Sequence, residues 1–142
     1  MQTQVTQPDT RLIDTFSQAN WDAFRDLLTP DVIYEEPSTQ RRTQDADTYV
    51  QLCQGWLRAL PDGRGVVLRS VHSGDTLVHE VRWEGTHNGP LDTPGGSIPP
   101  TGRWVSFEGV MWCEMKGDRI GFIRHHLDVL SLLQQIGALP AP

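Results

Sequence analysis

The densest group of chemically capable side chains lies near the C-terminal end, where Arg124, His125, His126 and Asp128 follow in close succession. On a β-strand, alternate side chains share a face, so Arg124, His126 and Asp128 gather on one side while His125 and Leu127 take the other. A cation, an imidazole and a carboxylate on one face suit acid/base chemistry. The carboxylate can hold the histidine in one tautomer, or the histidine and arginine can tune a carboxylate that acts as general base. The same residues also have a plainer reading, in which Asp128 caps the helix that follows and the histidines are exposed strand residues. His126 and Asp128 are metal-ligand types as well, but a third donor is wanting because His125 points away, so no metal is expected.

Two further groups stand apart from this cluster. His87, in Gly85-Thr86-His87-Asn88-Gly89, sits where a strand runs into a long loop and could contact an oxygen-rich ligand or simply bond its own backbone. Glu36 precedes Pro37 at the end of a strand-like run and is another candidate acid, base or substrate contact, unless it is a solvated turn carboxylate. Among the apolar residues, Trp56, Trp83, Tyr34 and Met111 could line a pocket for a flat ligand, although most such side chains are plain core. Nucleophilic and phosphate-binding motifs are missing: neither Cys53 nor Cys113 has a histidine nearby in sequence, and there is no Gly-x-Ser-x-Gly elbow or phosphate-binding glycine loop.

The elements that must position these groups read as helices first and strands later. Leu12, Ile13, Phe16 and Ala19 recur at helical spacing from Arg11, and Asn20 with Asp22 marks a break and a new cap before Phe24 and Leu27, with Pro30 ending the pair. Val32 to Tyr34 form a short strand stopped at Glu36-Pro37. Asp45 or Asp47 caps a third helix whose Val50, Cys53, Trp56, Leu57 and Leu60 share a face. The period then turns to alternation. Gly65–His72 and Thr76–Glu84 are expected to form a hairpin, as are Arg103–Met115 and Arg119–Leu127, with Gly85–Gly102 between them as a long loop. Val129–Ile136 closes the chain as a short helix between Asp128 and Gly137. This order implies an α+β layer fold with a mainly antiparallel sheet.

Size and charge narrow the function classes. A chain of 142 residues matches one domain, expected to span 1–142 with residues 1–9 as a flexible tail. Twelve basic against eighteen acidic side chains give a net charge of -6, so no positive stripe is available for nucleic acid. No stretch approaches a membrane span, and Met1–Thr10 lacks both a positive cluster and an apolar run, so a cytoplasmic protein with two reduced, buried cysteines is expected.

Several segments together resemble the SnoaL-like polyketide cyclases, a branch of the nuclear-transport-factor-2-like superfamily. They are Trp83 to Leu91, Ile98 to Phe107, Gly117-Asp118-Arg119-Ile120, Asp128 to Gly137, and the helix end Trp56 to Asp62. The resemblance implies a cone-shaped, curved, mainly antiparallel sheet wrapped around the N-terminal helices. It also implies a deep apolar pocket beside the third helix, no cofactor, and assembly as a homodimer or homotetramer. The implied activity is intramolecular aldol-type ring closure of a hydrophobic polyketide-like molecule. In that reading Asp128 is the acid/base, His126 orients it or relays its proton, and Arg124 or His87 polarises a substrate oxygen. Alternatives are a non-enzymatic small-molecule binder of the same fold, or an isomerase-like or epoxide-hydrolase-like enzyme. Glu36-Pro37 resembles the Asp-Pro of ketosteroid isomerases, but the first helix has Phe16 and no tyrosine. Arg82-Trp83-Glu84 superficially resembles a hydrolase pair, with Arg82 and Glu84 expected to face away from the interior.

Overall fold

A computed structural model describes residues 9–140; the N-terminal stretch expected to be flexible lies outside them apart from Asp9. Among the described residues four helices, α1 (Arg11–Ser17), α2 (Trp21–Asp26), α3 (Ala46–Ala59) and α4 (Val129–Gln135), accompany eight strands. The strands are β1 (Leu28–Glu36), β2 (Arg41–Thr43), β3 (Arg64–Ser73), β4 (Thr76–Thr86), β5 (Leu91–Thr93), β6 (Gly96–Ile98), β7 (Trp104–Lys116) and β8 (Arg119–Leu127). Six of them form one curved sheet in the order β2-β1-β8-β7-β4-β3. Every neighbouring pair is antiparallel except β1 with β8, so the architecture is the expected α+β class. None of the described helices is long and apolar enough to cross a membrane.

Local chemistry accounts for most of these boundaries. The Asp45 carboxylate accepts the Thr48 N–H at 2.7 Å and starts α3, while Asn20 accepts from Ala23 to start α2. Gly74 and Gly117 take φ of +56° and +66° at the two hairpin turns, where a side chain would strain the backbone.

Two expectations need correcting. Pro30 does not end the helix pair: β1 already begins at Leu28, and the proline falls where β1 and β8 lose register between Leu28 and Ile33, so its missing N–H breaks no ladder bond. The loop 85–102 is not structureless, because β5 and β6 form a small hairpin inside it. Gly89 pins that segment to the end of α3, donating its N–H to Ala59 O at 3.1 Å. A β-carbon there would lie 1.8 Å from Arg58 O, so only glycine permits the approach.

The core lies between the concave face of the sheet and α1–α3. Leu12, Ile13 and Phe24 from the helices meet Val32, Val81 and Ile123 from the strands, all nearly fully buried. Cys53 and Cys113 are buried and unpaired within it.

Candidate active site

Four strands in the middle of the sheet each turn between one and three inward positions toward α3. Val32, Tyr34 and Glu36 do so from β1, and Ile123, His125 and Leu127 from β8. Gly109 and Met111 do so from β7, and Trp83 from β4. From the opposite side α3 brings Tyr49, Cys53, Trp56 and Leu57. The space between is an apolar hollow of about 50 Å³, enough for a few water molecules but not for an aromatic ring.

One hydrogen-bonded chain of polar groups enters this hollow. Trp83 Nε1–H lies 3.2 Å from His125 Nε2, and an indole nitrogen can only donate. Nε2 must therefore accept, which leaves the ring proton of a neutral imidazole on Nδ1. Nδ1 is 3.2 Å from the Tyr34 hydroxyl, so its N–H donates there. The Tyr34 O–H in turn donates to Glu36 Oε2 at 2.5 Å, and Thr39 Oγ1–H donates to Oε1 at 2.7 Å. The result is a directed relay, His125 to Tyr34 to Glu36, ending on a carboxyl group with no solvent exposure. No ion pair among the described residues includes Glu36, so hydroxyl donors rather than a cation satisfy it.

Burial sets the protonation states along the relay. Loss of water pushes His125 down to about 3, with repulsion from His126 adding to it, so the ring is neutral at physiological pH. Burial, and then the Glu36 charge, raise the Tyr34 phenol well above its ordinary value, which keeps its proton in place to donate. The Cys53 thiol is also pushed up by burial and is no nucleophile. Space for the imidazole comes from Gly109, where a β-carbon would sit 2.5 Å from His125 Nε2. The phenol of Tyr34 is held in plane by Tyr49 of α3, stacked at 4.5 Å.

The structure divides the candidates read from the sequence. Tyr34, Trp56, Trp83 and Met111 do stand in the wall of the hollow, and Glu36 lies one position deeper, behind Tyr34. Asp128, His126 and Arg124 do not enter it. All three are exposed on the convex side of the sheet. Asp128 accepts the Ser131 N–H at 3.0 Å as the cap of α4, and Arg124 pairs with Glu35 at 2.9 Å. The physical reason is strand alternation: Ile123 and Leu127 take the core side and carry His125 with them, which sends 124, 126 and 128 outward.

His87 is not part of the hollow's lining either. It is buried in the 85–102 segment, where Nδ1 accepts the Thr101 N–H at 3.3 Å and its backbone bonds Arg103 and Gly102, while Nε2 has no partner among the described residues. Burial lowers its pKa, and its visible work is to shape that segment. Glu84, expected to face away, reaches the rim of the hollow beside Arg64. Arg64 and Arg82 hold its carboxylate at 2.7 and 3.4 Å, so it offers no free base.

Sequence reasoning passed over His125, Gly109 and Thr39. For His125 a signal existed: it shares parity with two aliphatic neighbours, Ile123 and Leu127, which marks the inward face. Among the described residues no three His, Cys, Asp or Glu side chains converge as a metal-ligand set.

Comparison with known proteins gives the frame for this geometry. A candidate SnoaL-like polyketide cyclase from Jannaschia sp. CCS1 superposes with a TM-score of 0.80 at 23% identity, covering 92% of this chain and 89% of that one. IdmH, a candidate polyketide cyclase from Streptomyces antibioticus, gives 0.76 at 23% identity, covering 89% and 94%. A protein of ketosteroid isomerase-like fold from Catenulispora acidiphila DSM 44928, in complex with trimethylamine, gives 0.78 at 16% identity, covering 96% and 100%. At these identities the likeness is one of fold. No curated protein sequence matches significantly. The family model for the SnoaL-like polyketide cyclases matches residues 7–136, nearly the whole chain. This chain belongs to the SnoaL-like polyketide cyclase family.

Proposed function

We propose that the chain catalyses cofactor-independent, aldol-type ring closure of a hydrophobic polyketide-like molecule, with the His125–Tyr34–Glu36 relay as its acid/base. The observation that carries this reading is the buried carboxyl at the end of a directed hydrogen-bond chain whose other end opens into an apolar hollow. Burial makes a lasting imidazolium at His125 costly, so a simple histidine base would be weak. The relay avoids that cost. As a carbon acid gives its proton to Nε2, the Nδ1 proton passes to the Tyr34 oxygen and the phenolic proton to Glu36 Oε2. Trp83 Nε1–H, displaced from Nε2, is then free to donate to the enolate oxygen. After the new carbon–carbon bond forms, the chain runs in reverse and returns the proton to the alkoxide. A positioned base of this kind contributes roughly 10²–10⁴-fold, and holding the two reacting carbons together adds more.

The hollow must widen to admit a ring, and its wall is suited to that. Met111 turns about several bonds, and Trp56 and Leu57 are only half buried. Asp128 has no part in this proposal, because its carboxylate is in solvent. The test is turnover of a poly-β-keto ester. Glu36→Gln should lower kcat by about 10²–10⁴-fold while Asp128→Asn leaves it unchanged. Loss of turnover in Asp128→Asn with full activity in Glu36→Gln would overturn the assignment. Tight binding of an aromatic ligand without turnover by the wild type would favour the non-enzymatic binder.

The same reading includes a homodimer or homotetramer. On the convex face, Val71, Val78 and Trp112 lie side by side across three strands, with Val71 and Trp112 exposed, and self-association would cover them. Native mass spectrometry should give a multiple of 16.0 kDa that Trp112→Asp reduces.

A further inference from the structure

A second, polar groove lies on the other side of Trp56, between α3, β2 and β5. Trp56 and Leu52 belong to both spaces. On the hollow side the indole meets Phe107, with ring centroids 6.3 Å apart, and on the groove side the Arg41 guanidinium lies 5.8 Å from its centroid. Trp56, beside Leu52, thus partitions an apolar chamber from a charged one. It is only half buried, and its indole N–H makes no hydrogen bond among the described residues.

The charge in the groove is unusual for this molecule. Of its eleven arginines, seven are in ion pairs with carboxylates among the described residues. Two of the other four, Arg41 and Arg58, meet in this groove. Arg41 is oriented by a hydrogen bond from its Nη2 to the main-chain oxygen of Asp92. Asp92 is the one acidic residue in the groove's lining, against the two arginines. In an acidic chain that spends most of its arginines on its own carboxylates, this is a place where a planar anion finds forked donors.

We propose that Arg41 and Arg58 seat the carboxylate of a substrate whose apolar body passes Trp56 into the hollow. This rests on the function proposed above and adds to it the substrate class: an amphipathic acid, with the ring-forming carbons beside His125 and the carboxylate in the groove. Rotation of the Trp56 indole joins the two chambers, which also supplies the widening that a ring needs.

Calorimetric titration of the full chain with 2-naphthoate and with its uncharged isostere 2-naphthamide, at low salt, tests this. The wild type should bind the carboxylate about 10- to 100-fold more tightly than the amide, the range for hydrogen bonds to charged groups. Arg41→Gln and Arg58→Gln should each narrow that ratio, the double variant should remove it, and Arg41→Lys should retain part of it. Leu57→Trp, at a half-buried position in the hollow's wall, should weaken both probes alike. Equal affinity for the two probes, with Leu57→Trp weakening both, would overturn the carboxylate seat and leave the hollow as a binding site. Failure of both probes to bind, or binding insensitive to Leu57→Trp, would overturn the reading of the hollow and the seat with it.

Discussion

His125 and His126 are consecutive in β8 and face opposite sides of one sheet. The first is buried among Tyr34, Trp83 and Met111, has both ring nitrogens bonded, and is held neutral by loss of water. The second stands on the convex face with Arg124, which pairs with Glu35, and Asp128, which caps a helix, all in contact with solvent. The convex trio looks more like an active site on paper, since it unites a cation, an imidazole and a carboxylate. The concave set is less conspicuous, because the partners of His125 come from 42 and 91 residues away in the chain. What separates them is desolvation: a hydrogen bond or a proton transfer gains its leverage where water cannot compete.

That contrast can be broken most severely by acid. Buried His125 stays neutral down to about pH 3, whereas in the unfolded chain the same ring takes up a proton below about 6.5. Between those values the unfolded state binds more protons, so stability falls as pH drops, by about 1.4 kcal/mol per pH unit for this group. Burial lowers His79 and His87 as well, and they act with the same sign. Denaturant unfolding at pH 7, 5.5 and 4.5 should therefore show a shallower loss of stability in His125→Phe than in the wild type. Equal slopes would mean that the ring is not held neutral by its surroundings.

A smaller perturbation sharpens the comparison on the concave side. In Gly109→Ala the new methyl would lie 2.5 Å from His125 Nε2, and the strand has no positive φ there, so the effect is crowding alone. A cost of about 1–3 kcal/mol is expected, together with loss of the Trp83 hydrogen bond, readable as a shift in the indole N–H resonance. On the convex side the effects are smaller still. Asp128→Ala should cost about 1 kcal/mol as a lost helix cap, and Asp128→Asn almost nothing, because asparagine caps as well. A thermal-melt comparison of the two variants separates capping from any role of the charge.

Much of the fold was legible from local pattern. The amphipathic α3 with its Asp45 cap, the two long hairpins with glycine at their turns, and the terminal helix capped by Asp128 all follow from spacing and turn chemistry. The three-residue strands β2, β5 and β6 were not legible, since they are too short to show a period and exist through their partners. The parallel pairing of β1 with β8 was equally hidden, because it joins opposite ends of the chain.

The candidate site shows where the boundary lies. By itself the amino-acid sequence determines which side chains of β8 travel together, Arg124 with His126 and Asp128, His125 with Leu127, because the side-chain period of a strand is two. Which set faces inward is decided by the tertiary structure, where α1 and α3 settle on the concave side and exclude water there. A period of two assigns partners but not a face. Only packing against distant helices makes one face dry, and with it makes His125, rather than its neighbour, the histidine that Tyr34 links to the buried Glu36.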